Sequence, residues 1–282
     1  VLTQISLGGF LALFLGDVMS LFGFEATNWI MALLVMLPAA IGLPLSALHL
    51  GRPFLALTAM KNIRRSWLSR EAAALGAFTG LMGAVVAMYF FEVNASLRLA
   101  IEGITLAVGI YGIYAQAMIY RIRARPSWDR FTTNLKFFGV AYVGIFLLAF
   151  ISSVLSLSDV VIPLIAMGML GALAQLFFTY EDTRSLDTIE ENQYQLQRTK
   201  RLLNENFSRV KVGRIMSLVL GGVVLPLLAL VFAASGSFGL ASLVMLLALV
   251  ISSLSEISDR FLFYTTVVPL SMAGGFFVGK QR

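Results

Sequence analysis

The chain holds a single histidine, His49, and the first carboxylate that follows it is Glu71. An imidazole titrates near neutral pH and can accept or donate a proton at that pH, and a nearby carboxylate can pass the proton on to water. The 21 residues between them include Asn62, Ser66, Trp67, Ser69 and Arg70, a dense run of hydrogen-bonding groups beside long apolar stretches. Exchange of protons with a quinone needs such a set: a proton acceptor for each hydroxyl and a donor for each carbonyl. A histidine here could equally cap the preceding helix through its last carbonyls. The residues alone leave both readings open.

The chain has no cysteine. One histidine and no thiol exclude a bis-histidine haem, a thiolate-held iron–sulfur cluster and a covalently attached c-type haem. No metal site is expected. If the protein handles electrons, it does so through a bound organic carrier and a partner subunit.

What must position these residues is a membrane bundle. The chain is 59% hydrophobic and 13% charged, with a mean hydropathy of +0.86, which is the membrane class. A span takes roughly 20 apolar residues. Eight such runs are expected, at about 1–23, 29–50, 71–92, 97–120, 137–158, 160–180, 213–234 and 238–267. Strands of alternating polarity are absent, so the fold class is all-α, a polytopic bundle of eight transmembrane helices in one integral membrane domain. Val1 opens directly into the first run without a starting Met, so a few upstream residues are expected; the run lacks the basic leader and cleavage site of a signal peptide. No polar stretch is long enough for a soluble catalytic core. The largest, 181–214, reads as one or two exposed cytoplasmic helices.

Lysine and arginine cluster at one end of the predicted bundle. Arg52, Lys61, Arg64, Arg65 and Arg70 lie between spans 2 and 3, Arg121, Arg123, Arg125, Arg130 and Lys136 between spans 4 and 5, and seven more between spans 6 and 7. The opposite loops carry only Arg98 as a clear case. The positive-inside rule then puts the basic loops and both termini in the cytoplasm, with His49 at the cytoplasmic end of span 2. A docking face for an acidic partner would also be basic, and the two are compatible. Net charge of this kind on a membrane chain gives no reason to expect nucleic acid.

Ionisable residues inside spans are functional candidates. Asp17 and Glu102 are expected near the outer ends of spans 1 and 4, in reach of headgroup water. Glu256 and Arg260 stand i, i+4 and can pair. Glu71, opening span 3, is favoured there by the helix N-terminus. Pro38 and Pro44 inside span 2 free backbone carbonyls, which is tolerated where a helix lines a cavity. Gly8-Gly9 and the glycines at 76, 80 and 83 are expected at close helix contacts.

These residues also carry a resemblance. His49-Leu50-Gly51-Arg52-Pro53, with Ala56, Asn62 and Ser66-Trp67-Leu68-Ser69-Arg70-Glu71, resembles the anchor subunit of dimethyl sulfoxide reductase, the DmsC family. In the last span Ser255-Glu256-Ile257, Arg260 and Phe263-Tyr264 are similar to that family's final helix, and the eight spans follow in the same order. The resemblance implies a haem-free, quinone-binding anchor in the inner membrane of a bacterium. Its partners would be a four-cluster iron–sulfur subunit and a catalytic subunit with a molybdopterin cofactor, besides membrane lipid. It implies that His49 and Glu71 exchange protons with the quinone, ubiquinone or menaquinone. It more weakly implies Arg52, Asn62, Trp67 and Arg260 for the quinone pocket.

The family's type member docks its partners on the periplasmic side, whereas the corresponding loop here is basic and points to the cytoplasm. That departure resembles the membrane subunit of the sulfite-oxidising enzyme (SoeC), in which electrons would pass from sulfite to the membrane quinone. The alternatives are a menaquinol-oxidising anchor of a sulfoxide-type reductase, a transporter, and a passive anchor whose histidine is structural. Against a transporter, the halves show no internal repeat and no midplane cluster of charges.

Overall fold

The computed structural model describes residues 1–20, 28–48, 62–187 and 193–270. His49 and Arg52 lie outside the described residues. Among the described residues every regular element is helical, and eight helical stretches are long and apolar enough to cross a membrane. The elements are α1 (Leu2–Ser20), α2 (Trp29–Leu48), α3 (Trp67–Phe90), α4 (Ala95–Tyr120), α5 (Phe131–Gly139), α6 (Ala141–Val154), α7 (Ser158–Asp187), α8 (Tyr194–Arg201), α9 (Ser208–Val219), α10 (Leu225–Ala234) and α11 (Phe238–Thr265). The pair α5–α6 makes one span, broken at Val140. The pair α9–α10 makes another, joined by a π-helical turn at Leu220–Val224. Pro226 follows that turn and cannot donate a backbone hydrogen bond, and the wider turn absorbs the mismatch.

The bundle is organised around two helices. Some 61% of the apolar window of α1 and 67% of that of α5–α6 is buried, against 22–33% for the other six spans. The outer six present residues such as Leu170, Val231 and Leu243 outward, as helices solvated by lipid must. What lets the inner pair approach is glycine. A Cβ on Gly8 would strike the carbonyl oxygen of Ala141, and one on Gly144 would strike that of Ile5. The backbones of α1 and α6 are therefore in direct contact, as small residues allow in membranes. The α3 glycines behave otherwise. A Cβ on Gly76 or Gly80 would meet nothing within 4 Å, and one on Gly83 only the Met36 sulfur at 3.8 Å. The expectation of close packing holds for Gly8 and Gly9 and fails for α3, whose glycines fall on its open face.

Pro38 is answered by α1. The Ser6 hydroxyl donates to Val35 O at 2.8 Å and accepts from Ala39 N at 2.9 Å. It stands inside the backbone ladder of α2 next to the proline, where a normal i, i+4 bond would close. An inserted side chain of this sort keeps both backbone groups satisfied where no water is at hand.

The polar stretch after α7 folds back onto the bundle. The Thr199 hydroxyl of α8 donates to Thr266 O at 2.9 Å, and Phe207 meets Phe261 edge-on. Arg198, Lys200 and Arg201 occupy the last turn of α8, where positive charge is favoured.

The glycine contacts set a clear contrast. Gly144→Val forces α1 and α6 apart and should abolish the monodisperse, folded species in detergent, read by size-exclusion chromatography. Gly80→Val adds the same side chain to open space and should leave the elution profile and melting temperature within a degree or two of the parent.

Candidate functional site

The first turns of α3 assemble themselves. Ser66 is the N-cap, its hydroxyl accepting from Ser69 N at 3.3 Å. A short turn precedes it, in which Arg65 N and Ser66 N both donate to Asn62 O. Arg70 reaches back over this turn, donating to Ile63 O at 3.0 Å and Arg64 O at 2.9 Å, with its guanidinium 4.4 Å above the Trp67 ring. Trp67 meets Tyr114 of α4 edge-on. Several of the hydrogen-bonding groups that made this loop chemically suggestive thus hold its shape: Ser66 caps, Arg70 clamps, and Asn62 gives its carbonyl.

Glu71 differs from expectation in an informative way. The cap at Ser66 starts α3 at Trp67, four residues before Glu71. The carboxylate therefore stands in the second turn, beyond the reach of the exposed N–H groups of the helix end. Its partner is an amide. Gln116 Nε2 of α4 donates to Glu71 Oε1 at 2.7 Å, and Gln4 Nε2 of α1 donates to Gln116 Oε1 at 2.9 Å. Three helices are tied by this chain, and its donors all run toward the carboxylate. Gln4 is 1% exposed and its Oε1 has no hydrogen-bond partner. Neither glutamine was found from the sequence. The available signal was an amide inside an otherwise apolar span, weaker than a charge.

Asn62, Trp67 and Glu71 thus sit together at the start of α3. Arg260 sits apart. It lies 3.9 Å over the Phe137 ring and donates to Lys136 O at 3.3 Å. Tyr120 packs against the Phe137 ring that Arg260 covers, their ring centroids 5.5 Å apart. Its hydroxyl accepts from Tyr264 at 2.7 Å. Trp128 and Phe263 stack beside it, their ring centroids 5.0 Å apart. This aromatic group was not anticipated either, although Phe263-Tyr264 was noted.

Arg260 does not pair with Glu256. Glu256 accepts from Gln175 Nε2 at 3.0 Å. The ion pairs at this end run instead through Asp259, whose Oδ1 lies 2.9 Å from Lys136 Nζ and 3.2 Å from Arg214 Nε. Lys136 also reaches Asp182 at 3.3 Å, and Arg130 reaches it at 3.2 Å. Residues from α5, α7, α9 and α11 are thereby tied into one buried cluster. A second cluster sits at the other end of the bundle. Asp17 accepts from the Tyr89 hydroxyl at 2.7 Å and from Arg98 Nε at 3.1 Å, and Arg98 also lies 3.6 Å from Glu102. Asp17 is 3% exposed and Glu102 fully buried. Both were expected at the headgroup water; both are inside the bundle, because Arg98 folds inward over the Tyr89 ring at 4.2 Å to meet them.

A family model described as DMSO reductase anchor subunit (DmsC) matches residues 1–266, so the chain belongs to the DmsC family. With its eight apolar helices it is a multi-pass membrane protein. No curated protein and no solved structure matches it. Among the described residues no group of His, Cys, Asp and Glu is arranged to hold a metal ion.

Removing one member of a buried ion pair leaves a charge without a partner. Asp259→Asn should destabilise the chain by about 3 kcal/mol, since Arg214 then loses its carboxylate while Lys136 keeps Asp182 alone. Thermal unfolding in detergent reads this; an unchanged melting temperature would mean that the cluster is not structural.

Proposed function

We propose that this DmsC-family chain is the quinone-binding membrane anchor of a molybdenum and iron–sulfur oxidoreductase complex, most similar to the sulfite-oxidising, cytoplasm-facing type. It carries neither thiolates nor paired histidines, so it holds the quinone while the partner subunits hold the molybdopterin cofactor and the iron–sulfur clusters. The observation that carries the reading is Glu71. Its carboxylate is fixed by Gln116 at 2.7 Å, beside the Asn62–Arg70 turn at the basic end of the bundle. The amide orients the carboxylate toward its neighbours, and it opposes protonation less than a lysine or arginine in the same place would.

In this reading His49 hydrogen-bonds one quinone oxygen and exchanges its proton, and Glu71 links that proton to bulk water. Trp67 offers an aromatic wall and Asn62 an amide. Arg52 adds positive charge, and Arg260 acts from the far side through the Tyr120–Tyr264 pair. The exposed cations of the basic loops, with the 181–214 segment as an extra grip, hold the iron–sulfur subunit close enough for electrons to reach the quinone directly. The charge bias favours a cytoplasmic docking face, and with it sulfite as the electron donor. A sulfoxide-type reductase oxidising menaquinol would use the same residues in the opposite direction.

Two measurements test this. The tagged chain, drawn from native membranes, should bring down molybdenum and iron and show sulfite-dependent reduction of a quinone analogue. Sulfoxide-dependent quinol oxidation would instead select the reductase, and a metal-free chain recovered alone would overturn both.

In the assembled complex, Glu71→Gln and His49→Ala should each lower quinone-linked turnover by about 10²–10⁴-fold. Turnover with a soluble dye that bypasses the quinone should stay within twofold. Intact quinone turnover in both variants would reduce His49 and Glu71 to structural residues.

A further inference from the structure

The bundle opens toward lipid between α7 and α9. Phe177 and Tyr180 of α7 and Ile215 of α9 wall an apolar groove of about 540 Å³. At its inner edge Thr179, Thr183 and Lys211 also line a second, polar cavity of about 70 Å³ that runs in to Arg214 and Asp259. That is room for several waters. Groove and cavity adjoin, sharing the four lining residues Thr179, Thr183, Lys211 and Ile215.

The polar cavity has a sign. Arg130, Lys136, Lys211 and Arg214 line it against Asp182 and Asp259, an excess of two positive charges. Both carboxylates are already engaged, Asp182 by Arg130 and Lys136 and Asp259 by Lys136 and Arg214. Polar atoms without a hydrogen-bond partner remain in the lining, on Ser127, Arg214 and Asp259. Arg214 is 4% exposed and its Nη2 has no hydrogen-bond partner; Asp259 is 1% exposed and its Oδ2 has none. The hydroxyls of Thr179 and Thr183 spend their protons on the carbonyls of Gln175 and Thr179, so their oxygens face outward only as acceptors. The Lys211 ammonium makes one bond, to Asn204 Oδ1 at 2.9 Å.

We propose that the α7–α9 cleft is a binding site for one anionic phospholipid with a hydroxyl-bearing headgroup, of the phosphatidylglycerol kind. The phosphodiester oxygens accept from Lys211 and Arg214. A glycerol hydroxyl donates to the oxygen of Thr179 or Thr183. An acyl chain lies along Phe177, Tyr180 and Ile215. A basic pocket between spans, at the headgroup level of the basic face, is the physical arrangement that holds such a head. A choline or ethanolamine head brings a cation to a cavity already in positive excess. A neutral quinone ring would leave that excess uncompensated.

The test is native mass spectrometry of the full chain, delipidated in detergent and titrated with dioleoyl-phosphatidylglycerol, dioleoyl-phosphatidylcholine or inorganic phosphate. The parent should retain one phosphatidylglycerol with at least about tenfold preference over phosphatidylcholine. Lys211→Gln should weaken it about fivefold, one charge at the membrane surface. Thr183→Phe, which narrows the mouth without touching a charge, should also weaken it. Arg184→Gln, exposed and paired with Glu181 outside the cavity, should change nothing. Equal retention of both lipids, an unaltered Lys211→Gln, retention of inorganic phosphate as tightly as lipid, or displacement of the lipid by a soluble quinone analogue would each overturn the proposal.

Discussion

A bilayer offers no partner to a polar group, and every feature of this chain that matters to its chemistry follows from that constraint. Where Pro38 disturbs α2, a serine from α1 enters the ladder and bonds both loose ends. Where carboxylates are buried, cations fold in to meet them: Arg98 at one end, Lys136 and Arg214 at the other. Two other carboxylates are held by neutral amides instead: Glu256 by Gln175, and Glu71 by Gln116. Gln116, itself held by Gln4, fixes Glu71 in place without supplying a full positive charge. A charge-assisted bond from an amide restrains the side chain but opposes protonation less than an ion pair would. The difference separates Glu71 from Asp259 and Asp182, which are locked against lysine and arginine.

The sequence made the coarse architecture legible because lipid solvation writes itself directly into composition: eight apolar runs, turn residues between them, and basic residues at one end. It was least informative where two distant segments share one polar contact. Gln4 and Gln116 are separated by more than a hundred residues and carry no charge, so nothing local marks them as a pair. Asp17 and Glu102 sit close enough to span ends to suggest water, yet both are buried, with Arg98 folded inward to meet them. Ser66 was a readable N-cap. Recognising it would have moved the start of α3 to Trp67 and detached Glu71 from the helix end. His49, on which the chemical reading first rested, and Arg52, which the resemblance added, lie outside the described residues, and their proposed roles stand on the motif alone.

The same constraint refines what the basic end means. A count of lysines and arginines treats all of them as free charge, but several are consumed inside the protein. Lys136 and Arg214 are spent on Asp259, Arg130 on Asp182, and Arg70 on the carbonyls of its own turn. Arg98, the one clear cation at the opposite end, is likewise absorbed by Asp17. What survives at the surface is one-sided. Arg64, Arg65, Arg123, Arg198, Arg201 and Arg209 are all exposed, and all belong to the same end of the bundle. Topological bias and a docking surface compete as explanations only if each needs the same residues. Burial divides them: the inner cations hold the helices, and the outer ones are left to meet a membrane surface or an acidic partner. Long-range steering scales with that outer set and fades with ionic strength, whereas the inner pairs are shielded from salt. Assembly with partners and integrity of the bundle should therefore respond to salt independently.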